Sequence, residues 1–144
     1  MILVDANLLI YASVSSVPEH QRARAWLDKQ LAGPGRVGLP WPSLLAYLRI
    51  TTSRRIFAHA QSIENAWTQI CEWLDQPPAW IPQPTEHHAA ILHKVCEAAG
   101  ASADLVSDAH LAALAIEHGL TICTNDRDFA RFPDLRWINP LTQR

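Results

Sequence analysis

With 144 residues, 49% hydrophobic and 18% charged, the chain is long enough for one domain with a sizeable core and too apolar for wholesale disorder. Twelve Lys and Arg against fourteen Asp and Glu leave a formal charge of -2, which argues against wrapping nucleic acid by bulk positive charge and leaves room for a local basic patch. No apolar run approaches the ~18 residues of a membrane helix.

Met1-Ile2-Leu3-Val4-Asp5 reaches an acid at once, without the basic leader of a signal peptide. Ile2-Leu3-Val4 reads as a buried strand, Asp5-Ala6-Asn7 as a polar turn, and Leu8 onward as a helix start. Pro18-Glu19-His20 opens a second helix, with Ala23, Trp26, Leu27 and Leu31 at helical spacing, and Gly33-Pro34-Gly35 stops it. Val37-Gly38-Leu39-Pro40 predicts a second strand. Pro42-Ser43 then starts a helix with Leu44, Leu45, Leu48 and Ile50 as its apolar members. Ser62 caps a helix through Leu74 whose inward face reads as Ile63, Trp67, Ile70, Cys71 and Leu74. Pro77-Pro78 ends it, and Ala79-Trp80-Ile81-Pro82 is a third strand, placed near a sheet edge by its prolines. Thr85-Glu86 opens a helix to about Ala99. Residues 104–118 form another, rich in Ala and Leu and closed by Gly119 in the left-handed cap position. Leu120-Thr121-Ile122-Cys123-Thr124 is the clearest later strand, residues 125–129 turn into a short helix, and Arg136-Trp137-Ile138 is a last strand. Strands and helices alternate throughout, which predicts a single α/β domain over residues 1–144, a three-layer α/β/α sandwich around a central parallel sheet.

Ligands of open parallel sheets bind beyond the carboxyl ends of the strands. Two strands finish in an acid there: Val4 leads to Asp5, and Thr124-Asn125 leads to Asp126. Asp108 lies near the start of the Ala-rich helix, with Asp104 one turn earlier on the same face. Carboxylates gathered in one cleft repel one another unless a cation neutralises them. An all-oxygen set without His or Cys suits Mg²⁺, or Mn²⁺, rather than Zn²⁺. Such an ion assists phosphodiester hydrolysis, so the expected chemistry is metal-dependent nucleolysis. Each acid also has a plainer reading. Asp5 can end a strand in a turn, Asp108 can sit in a local salt bridge, and Asp104 can be a helix cap. Asp126 and Asp128 divide two roles between them; Asp126, nearer the strand end, is expected to be the ligand and Asp128 the cap of the short helix.

Ile2-Leu3-Val4-Asp5-Ala6-Asn7, Asp108-Ala109-His110-Leu111-Ala112-Ala113-Leu114-Ala115 and Thr124-Asn125-Asp126-Arg127-Asp128-Phe129 together resemble the PIN domain, most of all the VapC-type toxins of bacterial toxin–antitoxin pairs. The resemblance spans almost the whole chain. It implies a Mg²⁺-dependent ribonuclease, often dimeric, held inactive by a VapB-type antitoxin. By the resemblance, Asp5 matches the first acid of that family, Asp108 the third and Asp126 the fourth, with Asn7 and Thr124 as the polar residues supporting them. One departure concerns the second acid, a Glu three residues before an Arg. Arg49 fits the Arg, and Ala46 stands where the Glu belongs. Either three carboxylates and an extra water suffice, or Asp104 substitutes, or metal affinity is reduced. The alternative function is a PIN-like module that binds RNA or protein without cutting. A haloacid dehalogenase-type phosphatase fits less well, because Asn7 replaces its second Asp and only Lys29 and Lys94 are present.

Arg49, Arg54 and Arg55 are candidate RNA-phosphate contacts, with a solvated helix end as the plainer reading, and Arg127 and Arg131 are further candidates. An Arg of the antitoxin would pair with the acids and displace metal. Trp41 lies beside the expected groove, where packing is favoured over stacking on a nucleobase. Trp26, Trp67 and Trp73 occupy core-like positions. Cys71, Cys96 and Cys123 are too widely spaced for a scaffold and read as buried thiols of a reduced, cytoplasmic protein. The seven histidines form no zinc signature. Gly33, Gly35 and Gly38 fit a dinucleotide fingerprint only literally, since they follow a helix and lead into a strand.

Overall fold

The computed structural model describes residues 1–142. Five short strands, β1 (Ile2–Val4), β2 (Val37–Gly38), β3 (Ala79–Trp80), β4 (Thr121–Cys123) and β5 (Trp137–Ile138), pair in parallel in the order β3-β2-β1-β4-β5. Six helices surround them: α1 (Ala6–Ser13), α2 (His20–Leu31), α3 (Trp41–Thr51), α4 (Ile63–Leu74), α5 (His88–Ala99) and α6 (Leu105–His118). A 3₁₀ turn over Arg127–Arg131 joins β4 to β5.

The strand pleat builds the three layers. Val4, Cys123 and Ile138 face a core shared with α1 to α4, while Leu3, Ile122 and Trp137 face a second core shared with α5 and α6. Both faces of the sheet are therefore apolar, as a continuous Ile-Leu-Val run requires. β3 lies at the sheet edge expected from its prolines. At Gly38 a Cβ would lie 3.1 Å from the Ile2 carbonyl oxygen and 3.2 Å from Pro82 Cγ, so a side chain there would need its neighbours to give way by a few tenths of an ångström. Gly119 closes α6 at φ 67°, which lets the chain reverse straight into β4.

Three expectations differ from the structure. The buried face of α4 is Ala66, Ile70 and Trp73, whereas Ile63 and Trp67 are 58% and 47% exposed and Cys71 is also exposed. Both stripes have helical spacing; Trp73 goes inward because its ring meets Tyr47 edge-on at 4.9 Å. Trp67 instead stacks on Trp41 at 6.5 Å. Of the thiols only Cys123 is fully buried, and burial pushes it up to about 12. Helix α5 starts at His88, not Thr85, and the Thr85 N–H ahead of it donates to a Glu117 carboxylate oxygen at 2.7 Å. Among the described residues, no helix is long and apolar enough to cross a membrane.

Candidate metal centre

Strand order reverses at β1, which has β2 on one side and β4 on the other. The crevice beyond the ends of β1 and β4 is thus the switch point where such sheets bind ligands. Asp5 leaves β1 into this crevice and caps α1, its Oδ1 accepting from the Ala6 N–H at 2.8 Å. Its Oδ2 accepts from the hydroxyl of fully buried Thr124 at 2.7 Å. That same hydroxyl oxygen accepts from the Asn7 amide at 3.2 Å and from the Asp126 N–H at 3.0 Å. Asn7 and Thr124 therefore tie the end of β1 to the turn after β4. Burial raises the pKa of Asp5, the two hydrogen bonds oppose the shift, and the charge of Asp126 adds to it.

Helix α6 brings in the other acids. Asp104 occupies its N-cap position but makes no capping bond, which leaves its exposed carboxylate unengaged by the helix. Asp108, in the first turn, is raised to about 7: by burial first, then by the charges of Asp126, Asp5, Asp128 and Asp104. One carboxylate oxygen from each of Asp108, Asp126 and Asp128 lies within 4.8 Å of the other two. Of the expected division between Asp126 and Asp128 only the cap is reversed: Asp126, not Asp128, is the cap, and both stand in the acidic group. Asp126 caps the 3₁₀ turn, its Oδ1 accepting from the Asp128 N–H at 2.9 Å, and Asp128 projects from the turn into the acidic group. Two residues apart on a tight turn, the two acids could not be told apart from spacing.

Among the described residues, no Lys, Arg or His forms an ion pair with any of these five acids. An all-oxygen, mutually repelling and unneutralised donor set fits a hard divalent cation. Ala46 is half-buried on α3 and offers only a methyl group, so Asp108, Asp126 and Asp128 could hold the ion, with Asp5 beside them.

The arginines are not part of this group. Arg49 lies in the last turn of α3, about 12 Å along the helix from Trp41, and Arg54 and Arg55 lie beyond it; all three are exposed. His110 faces away from the acids' chemistry, with its Nδ1 3.1 Å from Nε2 of His88. Three polar residues joined to the crevice had no role assigned from sequence: Asn125, which stood there only inside the Thr124–Phe129 motif, Asn139 and Tyr11. The Asn139 amide donates to Asn125 at 2.8 Å, and the Asn125 amide donates to the Tyr11 hydroxyl at 3.3 Å.

Residues 2–135 match the PIN domain family, and the chain belongs to it. More particularly, it is 44% identical over 140 residues to ribonuclease VapC37 of Mycobacterium tuberculosis, covering 97% of each chain. It is 38% identical over 143 residues to ribonuclease VapC33 of the same species, covering 99% of this chain and 100% of that one. Among solved structures, FitAB bound to an IR36 DNA fragment aligns with a TM-score of 0.70 at 22% identity, over 100% of this chain and 98% of that one. VapBC2 of Rickettsia felis bound to a promoter DNA fragment aligns at 0.67 and 18% identity, over 96% and 98%. At these identities the structural likeness establishes the fold.

Proposed function

We propose that the chain is a divalent-metal-dependent endoribonuclease, the toxin of a VapBC-type toxin–antitoxin pair, acting in the cytoplasm as a homodimer. The observation that carries this reading is the convergence of Asp5, Asp108, Asp126 and Asp128 on one crevice with no counter-charge to neutralise them. The names of the relatives support the substrate class.

Asp108, Asp126 and Asp128 would hold Mg²⁺ or Mn²⁺, with Asp5 beside it and Asp104 at the outer margin. When bound, the ion supplies Lewis acidity towards a phosphoryl oxygen and acidifies a water molecule. The residues of the chain do the positioning. Thr124 and Asn7 hold Asp5 and the Asp126 backbone in one register. Arg49, in the last turn of α3, and Arg54 and Arg55 beyond it are exposed and contact RNA phosphates. A VapB-type antitoxin silences the centre by placing an Arg among the same carboxylates.

The test is expression of wild type and Asp5→Ala in cells with sequencing of RNA ends, alongside cleavage of RNA by purified protein. Growth arrest, discrete cuts with wild type alone, and loss of cutting in EDTA are expected. Cutting that persists in EDTA, or in Asp5→Ala, overturns the reading. The absence of an acid at Ala46 favours one competitor, a module that binds without cutting. Equal growth arrest by the two proteins without RNA cuts would select it.

A further inference from the structure

We propose that Asn139, on the tail that follows β5, is a positioning residue for the acidic turn: acting through Asn125, it fixes where Asp126 stands. The inference rests on the metal-centre reading above. After Thr124, whose N–H donates to the Ile138 carbonyl at 3.0 Å, the turn has left the sheet ladder. Its next amides are held by side chains instead. The Asn125 N–H donates to Asn7 Oδ1 at 3.3 Å, the Asp126 N–H to Thr124 Oγ1 at 3.0 Å, and the Asp128 N–H to Asp126 Oδ1 at 2.9 Å. A turn held this way is only as well placed as those side chains.

Asn125 stands in the middle of this turn, and its own amide is anchored at two points. Its Oδ1 accepts from Asn139 Nδ2 at 2.8 Å and its Nδ2 donates to the Tyr11 hydroxyl at 3.3 Å. The direction of this chain is set at its far end. Asn139 Oδ1 accepts from the Leu141 N–H at 3.0 Å, so Nδ2 of Asn139 must be the end that faces Asn125. Asn139 is thus oriented by its own tail and passes that orientation to the residue preceding Asp126. Removing it leaves Asn125 Oδ1 without its donor and lets the turn choose among positions. Outer-shell partners of this kind are worth about 10–100-fold in metal affinity, and the indirect coupling here places the effect near the lower figure.

The test is calorimetric titration of Mn²⁺ into the purified full chain, with melting temperature and RNA cleavage measured in parallel. Asn139→Ala is expected to weaken Mn²⁺ binding about tenfold. The metal concentration for half-maximal cleavage should rise by the same factor, with kcat at saturating metal within about twofold of wild type. Arg136→Ala is the control: the Arg136 guanidinium donates to the Gly119 carbonyl at 3.0 Å, so its loss loosens the entry to β5 without touching Asn139 or the Leu141 N–H that orients it. It should leave Mn²⁺ affinity unchanged even if it lowers the melting temperature. Should Asn139→Ala fail to fold, Tyr11→Phe removes the other anchor of Asn125 while keeping the ring, and is expected to weaken Mn²⁺ binding severalfold. Wild-type Mn²⁺ affinity in the folded Asn139→Ala protein, or in Tyr11→Phe where that stands in for it, overturns the proposal, as does equal weakening by Arg136→Ala. If wild type itself neither binds Mn²⁺ nor cuts RNA, the metal-centre reading falls and this one with it.

Discussion

Asp108 carries the proton that the site must give up. Its folded-state pKa of about 7 stands well above the ordinary ~3.9 of an unfolded carboxyl. Between those values the folded, metal-free chain binds a proton that the unfolded chain has released. The stability from this group is therefore fully present below about pH 4 and is lost as pH rises through about 7. A cation needs the ionised form, so metal affinity moves the other way. Apparent Mn²⁺ affinity, titrated across pH, should climb about tenfold per unit below pH 7 and level off above it, one proton being displaced. A flat profile would contradict a ligand at Asp108 that must first lose a proton near pH 7. That Asp5 and Asp126 share an edge was legible in the sequence because two apolar strands end at acids, and strand ends share an edge in a parallel sheet; Asp108, on a helix, was legible beside them only through the family resemblance. The roles of Asp126 and Asp128 were not, since both sit on one polar turn and only the geometry of the 3₁₀ cap separates them. Asn139 was illegible for another reason. Its partner lies 14 residues away across a strand pairing that no local pattern encodes.

At the scale of elements, what holds α6 against α5 is a polar pin as well as an apolar seam. The Glu117 side chain is 1% exposed, and its two oxygens accept from the Thr85 N–H and from His88 Nδ1, both at 2.7 Å. A carboxylate cannot donate, so His88 presents its other nitrogen to His110, whose pKa is lowered by burial and by the neighbouring ring. The start of α5 is thus fastened to α6, the helix that carries Asp104 and Asp108. Glu117→Ala should destabilise the chain by about 3 kcal/mol in urea denaturation, because it strands a part-buried N–H and a histidine. A loss under about 1 kcal/mol would mean that the pin contributes little. Helix α4 tests packing more simply. Trp73→Ala should cost about 4 kcal/mol and Trp67→Ala about 1 kcal/mol or less in its exposed stack. Equal costs would contradict the assignment of the inward face. That face was ambiguous in sequence since two apolar stripes, both at helical spacing, run along the same helix. The short strands, by contrast, were plain, because apolar character on both sides of a strand leaves few alternatives to a covered parallel sheet.

Across the whole molecule, two helical layers with separate cores clamp one sheet, and five of the chain's fourteen acidic residues, Asp5, Asp104, Asp108, Asp126 and Asp128, gather at the crevice between its central strands. Without a cation this concentration is a source of repulsion that the fold sustains. A bound ion should relieve it and stabilise the folded chain by linkage. The most direct measurement is the melting temperature of wild type and Asp108→Asn at about pH 8, where Asp108 is ionised, each with and without Mg²⁺ or Mn²⁺. The account predicts that metal-free Asp108→Asn melts above metal-free wild type, and that the ions raise the melting temperature of wild type alone. Ions that leave wild type unmoved, or that raise both proteins equally, would contradict it.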